Sequence, residues 1–157
     1  MTFSDFVCFE ATVAELQAGD RDGAIAELVS SLDEAGKLGK NKCQEITAEM
    51  IKRENEASTG MGKGVAMPHI KHDVVTDVVA VIGHSSAGVG FFALDKQPVY
   101  SVILLVSPVD NPDKHLQALG SVFKHLQQEK FRRFLRMCRS SGQIRELLIE
   151  ADEDPSL

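Results

Sequence analysis

Residues 60–72, which read GMGKGVAMPHIKH, hold the groups of this chain best suited to chemistry. Three glycines alternate with other residues, a proline directly precedes His69, and His72 follows three positions later. A glycine-rich loop can bind a phosphate through its amides, two histidines can share a metal ion, and one neutral imidazole is a nucleophile near neutral pH. Three kinds of site are therefore open: a phosphate cradle, a metal centre and a reactive histidine.

Neither common nucleotide-binding fingerprint matches the glycine loop. A phosphate loop of the form G-x-x-x-x-G-K-S/T needs a hydroxyl residue after its lysine, whereas Lys63 precedes Gly64. A dinucleotide fingerprint G-x-G-x-x-G opens a helix, whereas Gly60, Gly62 and Gly64 are spaced by two and Pro68 would break that helix. Without a chemical role, the loop would be a turn whose glycines stand where φ must be positive.

A metal centre at the two histidines is also disfavoured. His69 and His72 would share a face only in a helix, but Pro68 restricts Met67 to an extended backbone. The chain has no C-x-x-C pair and no H-E-x-x-H segment. We therefore expect no metal centre at these histidines.

Composition places the chain among soluble globular proteins of one domain. It has 157 residues, of which 43% are hydrophobic and 25% charged, and its formal net charge is −6. The negative charge argues against a broad surface for nucleic acid or acidic lipid. Aromatic residues make up only 6% of the chain and tryptophan is absent, which argues against a stacking surface for single-stranded nucleic acid.

The cysteines and the apolar segments indicate a cytoplasmic location. Cys8, Cys43 and Cys138 are odd in number and widely spaced, as free thiols of a reducing compartment are. The first residues carry no pattern of a secretory signal. The longest apolar run, residues 99–106, is far shorter than a membrane span. We expect a cytoplasmic protein without membrane insertion.

Hydrophobic periodicity predicts helices on both sides of the glycine loop. Upstream, Ile25, Leu28, Val29 and Leu32 recur at i, i+3, i+4 and i+7, and Gly36 ends the pattern. Downstream, Asn111-Pro112 opens a long helix, and two shorter helical segments follow at residues 130–138 and 142–151. The long helix is predicted to bury a stripe of Leu116, Leu119, Phe123 and Leu126.

Two continuous apolar runs predict the central strands of a sheet. Residues 78–83 (VVAVIG) and 99–106 (VYSVILLV) are apolar at consecutive positions, as strands covered on both faces are. Residues 91–95 (FFALD) are a candidate third strand or edge. The prediction is one α/β domain over residues 1–157, built as three layers with a mixed β-sheet flanked by helices on both faces. Its core spans about residues 5–150, and the acidic tail 151–157 is expected to be frayed.

Residues 58–69 (STGMGKGVAMPH) resemble the active-site signature of enzyme IIA domains of the bacterial phosphoenolpyruvate-dependent sugar phosphotransferase system. In the fructose, mannitol and nitrogen-regulatory class this signature reads roughly G-S-T-G-I/V-G-x-G-I/V-A-I/L-P-H. The residues that fit it directly are Ser58, Thr59, Gly60, Gly62, Gly64, Val65, Ala66, Pro68 and His69. The departures are Ala57 in place of the usual glycine, Ile70 in place of the usual Gly or Ala, and Glu56 where an apolar residue is common, and none removes a group that the chemistry needs.

Three further motifs of that class occur in the same order. Arg53-Glu54 precedes the loop, FFALDKQPV fits F-x-A-x-D-x-x-P-V, and an apolar strand leads through a polar loop to HLQAL, which begins at His115. The resemblance therefore covers nearly the whole chain. It implies a phosphocarrier of the phosphotransferase system within the three-layer fold predicted above.

The resemblance implies three catalytic residues. His69 would accept the phosphoryl group, with Nε2 as the attacking atom by family precedent. Arg53 would bind the phosphoryl oxygens with its planar guanidinium fork. His115, in the first turn of its helix, would lie beside His69 and contact the phosphoryl group or orient the ring.

A supporting role is implied for the loop itself. The Thr59 hydroxyl and the amides of Gly60 and Gly62 are predicted to form a small anion-binding nest beside His69. An apolar rim for protein docking is predicted at Met61 and at three residues near it in sequence: Val65, Met67 and Ile70.

The implied partners are proteins. The histidine phosphocarrier protein would donate the phosphoryl group, and a cysteine of a sugar-specific IIB domain would receive it, so neither a nucleotide nor a metal is required. The same family contains nitrogen-type regulators that signal by their phosphorylation state. A third hypothesis is a binding module that keeps the fold without the chemistry.

Overall fold

The computed structural model describes residues 1–157 and has a five-stranded sheet at its centre. The α-helices are α1 (Phe3–Phe6), α2 (Arg21–Glu34), α3 (Cys43–Glu56), α4 (Pro112–Leu126), α5 (Glu129–Met137) and α6 (Ser141–Glu153), with a short 3₁₀ turn at Phe9–Ala11. The strands are β1 (Gly60–Gly62), β2 (Val65–Ala66), β3 (His69–Lys71), β4 (Val79–Val89) and β5 (Val99–Ser107). No helix combines the length and the apolar content that crossing a bilayer requires.

Strand β5 is the centre of the sheet. It pairs with β4 in antiparallel orientation on one side and with β2 and β3, in parallel, on the other. Strand β1 closes a hairpin with β2. Because β5 is buried on both faces, its continuous apolar sequence is explained, and the predicted mixed sheet is confirmed.

Pro68 separates β2 from β3 without shifting the register. Ala66 pairs with Val102 and His69 with Leu105, so both short strands continue along one edge of β5. Proline cannot donate to the ladder, but its carbonyl oxygen accepts a 2.9 Å hydrogen bond from the Leu105 amide. The proline thus fixes the backbone on which His69 begins its strand.

Helices cover both faces of the sheet, as predicted. On one face α2 and α3 bury Ile25, Leu28, Val29 and Leu32 together with other residues of a continuous apolar cluster. On the other face α1, α4, α5 and α6 enclose a second cluster of similar size. Each sheet face therefore has its own core, and the three-layer α/β architecture is confirmed.

The predicted buried stripe of α4 is wrong for most of its length. Leu116 is 65% exposed and Phe123 is 44% exposed, and Leu119 is only partly buried. The helix turns a different face to the sheet, on which the buried residues are His115, Ala118, Val122, His125 and Leu126. Small Ala118 and Val122 let the helix approach closely, and each of the two buried imidazoles has a hydrogen-bond partner at Nδ1.

The C-terminal residues are packed, in contrast to the expected frayed tail. Helix α6 continues to Glu153, Ala151 lies in the core, and Leu157 is only 1% exposed. The carbonyl oxygen of Leu157 accepts a hydrogen bond from the His125 ring. This apolar residue anchors the acidic segment because its side chain completes the second core cluster.

Residues 91–95 form a loop and no strand. Phe91 is buried, and its carbonyl oxygen accepts a 2.8 Å hydrogen bond from the Ser58 hydroxyl. Phe92 has φ of 52° and is 77% exposed, so the backbone leaves the extended conformation there. The Leu94 amide then donates to the Gly60 carbonyl oxygen at 3.3 Å, which packs this loop against the glycine hairpin.

Candidate active site

His69 is oriented by a backbone oxygen two residues before it. Its Nδ1 atom lies 2.8 Å from the carbonyl oxygen of Met67. Because a carbonyl oxygen can only accept, Nδ1 must carry the hydrogen, and the neutral ring then has its lone pair on Nε2. The ring is half-buried at the start of β3. The backbone therefore selects Nε2 as the nucleophilic nitrogen of His69.

The surroundings of His69 favour the neutral ring. Burial lowers the pKa of His69, and the Arg53 cation lowers it further, while the Met67 carbonyl and the Glu54 charge raise it by less. The net effect holds the pKa below the ordinary histidine value of about 6.5. Near neutral pH the imidazole is thus unprotonated at Nε2 and able to attack an electrophile.

His115 lies beside His69. The two ring centroids are 5.5 Å apart, with the ring planes inclined at 50°. His115 is only 6% exposed, and its Nδ1 atom lies 2.6 Å from the hydroxyl of Ser107. Burial, and then the charges of His69 and Lys71, lower the pKa of His115 to about 4. Both rings of the pair are consequently neutral at physiological pH.

Arg53 is held at the C-terminal end of α3 by its own helix. Its Nη1 atom donates a 2.9 Å hydrogen bond to the carbonyl oxygen of Ala57, and the rest of the guanidinium makes no hydrogen bond to the protein. It forms no ion pair with Glu54, although the two are neighbours in sequence. The cation is close enough to lower the pKa of His69. A half-exposed guanidinium with free donors can bind an oxyanion beside that ring.

Glu54 is a site residue whose role the sequence did not indicate. It is 2% exposed, and its carboxylate accepts two hydrogen bonds from Thr59, one from the amide at 2.9 Å and one from the hydroxyl at 2.5 Å. These bonds tie the start of the glycine hairpin to the end of α3. The adjacency of Arg53 and Glu54 was visible in the sequence, but the turn that sends their side chains to different partners was not.

The glycine hairpin does not present the predicted nest in full. The Thr59 amide and hydroxyl are bound to Glu54, and the Gly60 amide donates to the Ser58 hydroxyl at 3.0 Å. The phosphate-binding roles predicted for Thr59 and Gly60 therefore lack free donors, whereas that of Gly62 stays a prediction. At Gly60 a Cβ would lie 2.8 Å from the Cα of Ala93, so glycine is needed there for close packing.

Gly62 and Lys63 form the tip of the same hairpin. Gly62 has φ of 84°, a conformation that favours glycine, and the Lys63 amide donates to the Asp95 carboxylate at 3.0 Å. The loop of residues 91–95 thus meets the hairpin at two points, through Asp95 and through Leu94. Turn geometry explains the glycine spacing.

His72 belongs to a separate polar cluster. Its Nε2 atom lies 2.8 Å from the Glu45 carboxylate, and its Nδ1 atom accepts a hydrogen bond from the Val74 amide at 3.0 Å. His69 instead faces Met67 and His115. The two histidines of the opening motif do not converge, and no three side chains of His, Cys, Asp or Glu form a group suited to a metal ion.

An exposed apolar surface begins next to His115. Leu116, Leu119 and Phe123 follow one another along the outer side of α4, and we call these three residues the α4 apolar surface. A cavity of about 500 Å³ lies between Phe123 and the glycine hairpin, with Leu94 at its edge. The predicted rim is wrong for three members, since Val65, Met67 and Ile70 are at most 9% exposed and belong to the core.

Comparison with known protein families accounts for this arrangement. Residues 8–151 match the family model of the phosphoenolpyruvate-dependent sugar phosphotransferase system, EIIA 2. The chain belongs to this family. The fructose-specific EIIABC component of Bacillus subtilis is 32% identical over 138 residues, which is 88% of this chain but 21% of the relative. This EIIA chain thus spans about a fifth of that relative's length.

Two solved structures share the EIIA fold. The nitrogen regulatory protein IIA-Ntr from Neisseria meningitidis superposes with a TM-score of 0.83 at 25% identity, covering 93% of this chain and 98% of the other. Enzyme IIA of the Escherichia coli mannitol system, solved in complex with phosphorylated enzyme IIB, gives a TM-score of 0.73 at 22% identity and covers 90% and 95% of the two chains. The three-layer fold of this EIIA protein is that of both.

Proposed function

We propose that this EIIA protein is a cytoplasmic phosphocarrier that accepts a phosphoryl group on Nε2 of His69. The observation that carries the proposal is the 2.8 Å contact between His69 Nδ1 and the Met67 carbonyl oxygen, which leaves Nε2 as the free lone pair. The second support is the neutral state of the ring, which its lowered pKa maintains. A histidine without both features would be a weaker nucleophile at neutral pH.

The donor in this proposal is the histidine phosphocarrier protein. The Nε2 lone pair of His69 attacks phosphorus, a new P–N bond forms, and the P–N bond to the donor histidine breaks, with its electron pair returning to the donor imidazole. Arg53 binds the equatorial phosphoryl oxygens through its unengaged nitrogens, and the neutral ring of His115 contacts the same group. Most of the catalytic effect then comes from positioning and charge compensation.

The acceptor in this proposal is the cysteine of a IIB domain. Its thiolate attacks phosphorus, the P–N bond to His69 breaks, and the electron pair returns to Nε2, which regenerates the starting tautomer. The mannitol IIA protein was solved with phosphorylated enzyme IIB, and the Bacillus relative is an EIIABC component, which supports this class of acceptor. The α4 apolar surface is suited to docking both partners because it begins beside His115.

A regulatory role is the second candidate. The similarity to the Neisseria nitrogen regulatory protein covers nearly all of both chains. In that role the phosphoryl group on His69 would be read by another protein through the surface around it. Both candidates require phosphorylation of His69, whereas a binding module without the chemistry does not.

One experiment tests the carrier role. The protein is mixed with phosphoenolpyruvate, enzyme I and the histidine phosphocarrier protein, and its intact mass is measured beside those of His69→Gln and His72→Gln. We expect a gain of about 80 Da, the mass of HPO₃, that is acid-labile, absent in His69→Gln and retained in His72→Gln. Failure of the wild-type chain to gain this mass would contradict the carrier role with these donors, as would a gain that persists in His69→Gln.

The phosphorylated protein then distinguishes the two candidates. Addition of a IIB domain tests transfer, because loss of the phosphoryl group from His69 with its appearance on the IIB cysteine supports the carrier role. A phosphorylated protein that transfers to no IIB domain of its organism, but whose binding to another protein changes with phosphorylation, supports regulation instead.

A further inference from the structure

Ser107 is a buried residue in direct contact with the candidate active site. It is the last residue of β5, it is 0% exposed, and its hydroxyl oxygen lies 2.6 Å from Nδ1 of His115. Its backbone is fixed by the sheet, since Ser107 pairs with Lys71 of β3 and its carbonyl oxygen accepts a 2.8 Å hydrogen bond from the His72 amide. Ser107 contacts His115, but the phosphocarrier mechanism proposed above gives it no role.

The direction of this hydrogen bond follows from what each group can do. The Ser107 hydroxyl has no other hydrogen-bond partner, so His115 Nδ1 is the only acceptor for its hydrogen. If Nδ1 instead carried a proton and donated, the buried hydroxyl hydrogen would be left without an acceptor. The arrangement that satisfies both groups has Ser107 as donor and Nδ1 as acceptor. A neutral His115 ring then carries its hydrogen on Nε2.

The two neighbouring histidines therefore have opposite tautomers. His69 is protonated on Nδ1, which donates to the Met67 carbonyl oxygen, and it has a lone pair on Nε2. His115 is protonated on Nε2, which makes no hydrogen bond to the protein. Its lone pair is on Nδ1, which accepts from Ser107. The ring centroids are 5.5 Å apart. One ring thus offers a nucleophilic lone pair, and the neighbouring ring offers an N–H donor.

We propose that Ser107 is a positioning residue that fixes the tautomer and the orientation of His115, so that its Nε2–H donates to a phosphoryl oxygen on His69. This inference rests on the proposed function of His69. Ser107 acts through His115 and contacts no reacting atom. Because the donor ring is neutral, it compensates the developing charge without adding a second fixed cation beside Arg53. The low pKa of His115, about 4, is consistent with a donor that stays neutral.

The first test reads the tautomer without any phosphotransfer. Ring nitrogen NMR of the ¹⁵N-labelled protein near neutral pH reports which nitrogen of each histidine carries hydrogen. We expect His115 to be protonated on Nε2 and unprotonated on Nδ1, with the opposite pattern for His69. Protonation of His115 on Nδ1 would overturn the inference and would leave the proposed role of His69 standing.

The second test uses a matched pair of variants, Ser107→Thr and Ser107→Val, which have nearly the same shape and differ in the hydroxyl. Any strain from the added carbon is shared by both, and Ser107→Ala removes the hydroxyl without adding volume. We expect Ser107→Thr to transfer at close to the wild-type rate and the other two variants to be about 10- to 100-fold slower, the range typical of lost orienting partners. The histidine NMR signals of the slow variants should show a changed environment at His115 but not at His69.

The outcomes distinguish the positioning role of Ser107 from the carrier role of His69. Equal single-turnover rates for the threonine and valine variants would refute the role of Ser107, while a phosphorylated wild type would keep the role of His69. Absence of phosphorylation in the wild-type protein would refute the carrier proposal, and the NMR measurement would still decide the tautomer of His115.

Discussion

The Nδ1 atom of His69 lies 2.8 Å from the carbonyl oxygen of Met67, and Pro68 is the residue between them. Proline keeps Met67 extended and itself stays in register with β5 through its carbonyl oxygen. The Met67 carbonyl is thereby directed at the ring two residues later. A proline before the histidine is thus more than a helix breaker, because it places the acceptor that determines which ring nitrogen is free.

The pH dependence of phosphoryl acceptance should reflect the lowered pKa of His69. Burial and the Arg53 cation lower the pKa of His69, so at a given pH a larger fraction of its ring is neutral than for an ordinary histidine. We expect the single-turnover rate at pH 6.5 to be more than half of its plateau value at pH 8, whereas a ring with the ordinary pKa would give about half. An NMR titration of the His69 ring should give a midpoint below 6.5, and a midpoint at or above that value would contradict the prediction.

Arg53 should accelerate phosphoryl transfer through both its positive charge and its planar shape. We expect Arg53→Gln to slow transfer by about 10²- to 10³-fold, because the phosphoryl oxygens lose a charged donor. Arg53→Lys should restore part of the rate, since a lysine supplies charge without the planar fork. Lys52→Gln is the matched control at an exposed neighbouring position. Rapid-quench assays of phosphoryl transfer measure the rates. Equal rates for Arg53→Gln and Lys52→Gln would rule out the role assigned to Arg53.

The same arginine variant has a second expected effect. Because the Arg53 cation lowers the pKa of His69, its removal should raise that pKa towards the ordinary value. The NMR titration midpoint of His69 in Arg53→Gln should therefore be higher than in the wild type. An unchanged midpoint would mean that the guanidinium does not act on the ring.

Glu54 should hold the glycine hairpin in place. The amide and the hydroxyl of Thr59 donate to different carboxylate oxygens, and Glu54→Gln replaces one of these oxygens with an NH₂ group, so in the same geometry one Thr59 donor loses its acceptor and the remaining bond loses its charge. We expect a loss of about 1–3 kcal/mol in the free energy of unfolding, measured by denaturant titration. The control Glu56→Gln changes an exposed carboxylate and should be nearly neutral. Loss of the Glu54 charge should also lower the pKa of His69 further, since this charge raises it.

The fold was predictable wherever apolar residues form a clear run or a regular spacing within an element. The apolar run of β5 and the spacing of Ile25, Leu28 and Leu32 in α2 determined the layers, since few other arrangements bury them. The face of α4 was not predictable from apolar spacing. His115 is polar yet buried, with its Nδ1 hydrogen-bonded to Ser107, whereas Leu116 is apolar yet exposed.

The identities of the candidate site residues were accessible from motifs, but their hydrogen bonds were not. Arg53, His69 and His115 each occur in a recognisable segment. The contacts of Glu54 with Thr59 and of Ser107 with His115 depend on the turn after α3 and on the docking of α4 against β5. A linear motif does not encode those distances, so neither the tautomers nor the occupied amides of the hairpin follow from it.

Stability should fall below neutral pH because of His115. Its pKa is about 4 in the folded protein and about 6.5 in the unfolded chain, so below pH 6.5 the unfolded chain binds a proton that the native state excludes. This group alone should cost about 1–2 kcal/mol in the free energy of unfolding between pH 7 and pH 5. Urea titrations at both pH values should show a smaller loss for His115→Gln than for the wild type, and equal losses would contradict the prediction.

The α4 apolar surface should contribute to partner affinity. Leu116 is 65% exposed, so Leu116→Ser should leave the unfolding midpoint nearly unchanged, whereas Phe123 is 44% exposed and Phe123→Ser should lower the midpoint because more than half of that residue is buried. Each side chain would become buried when a partner docks beside His115, and its loss should raise the KM for the phosphorylated donor about tenfold at unchanged kcat. Met137→Ser is the control, because Met137 is 61% exposed but lies on α5. A KM for the two α4 variants equal to that of the control would place the docking surface elsewhere.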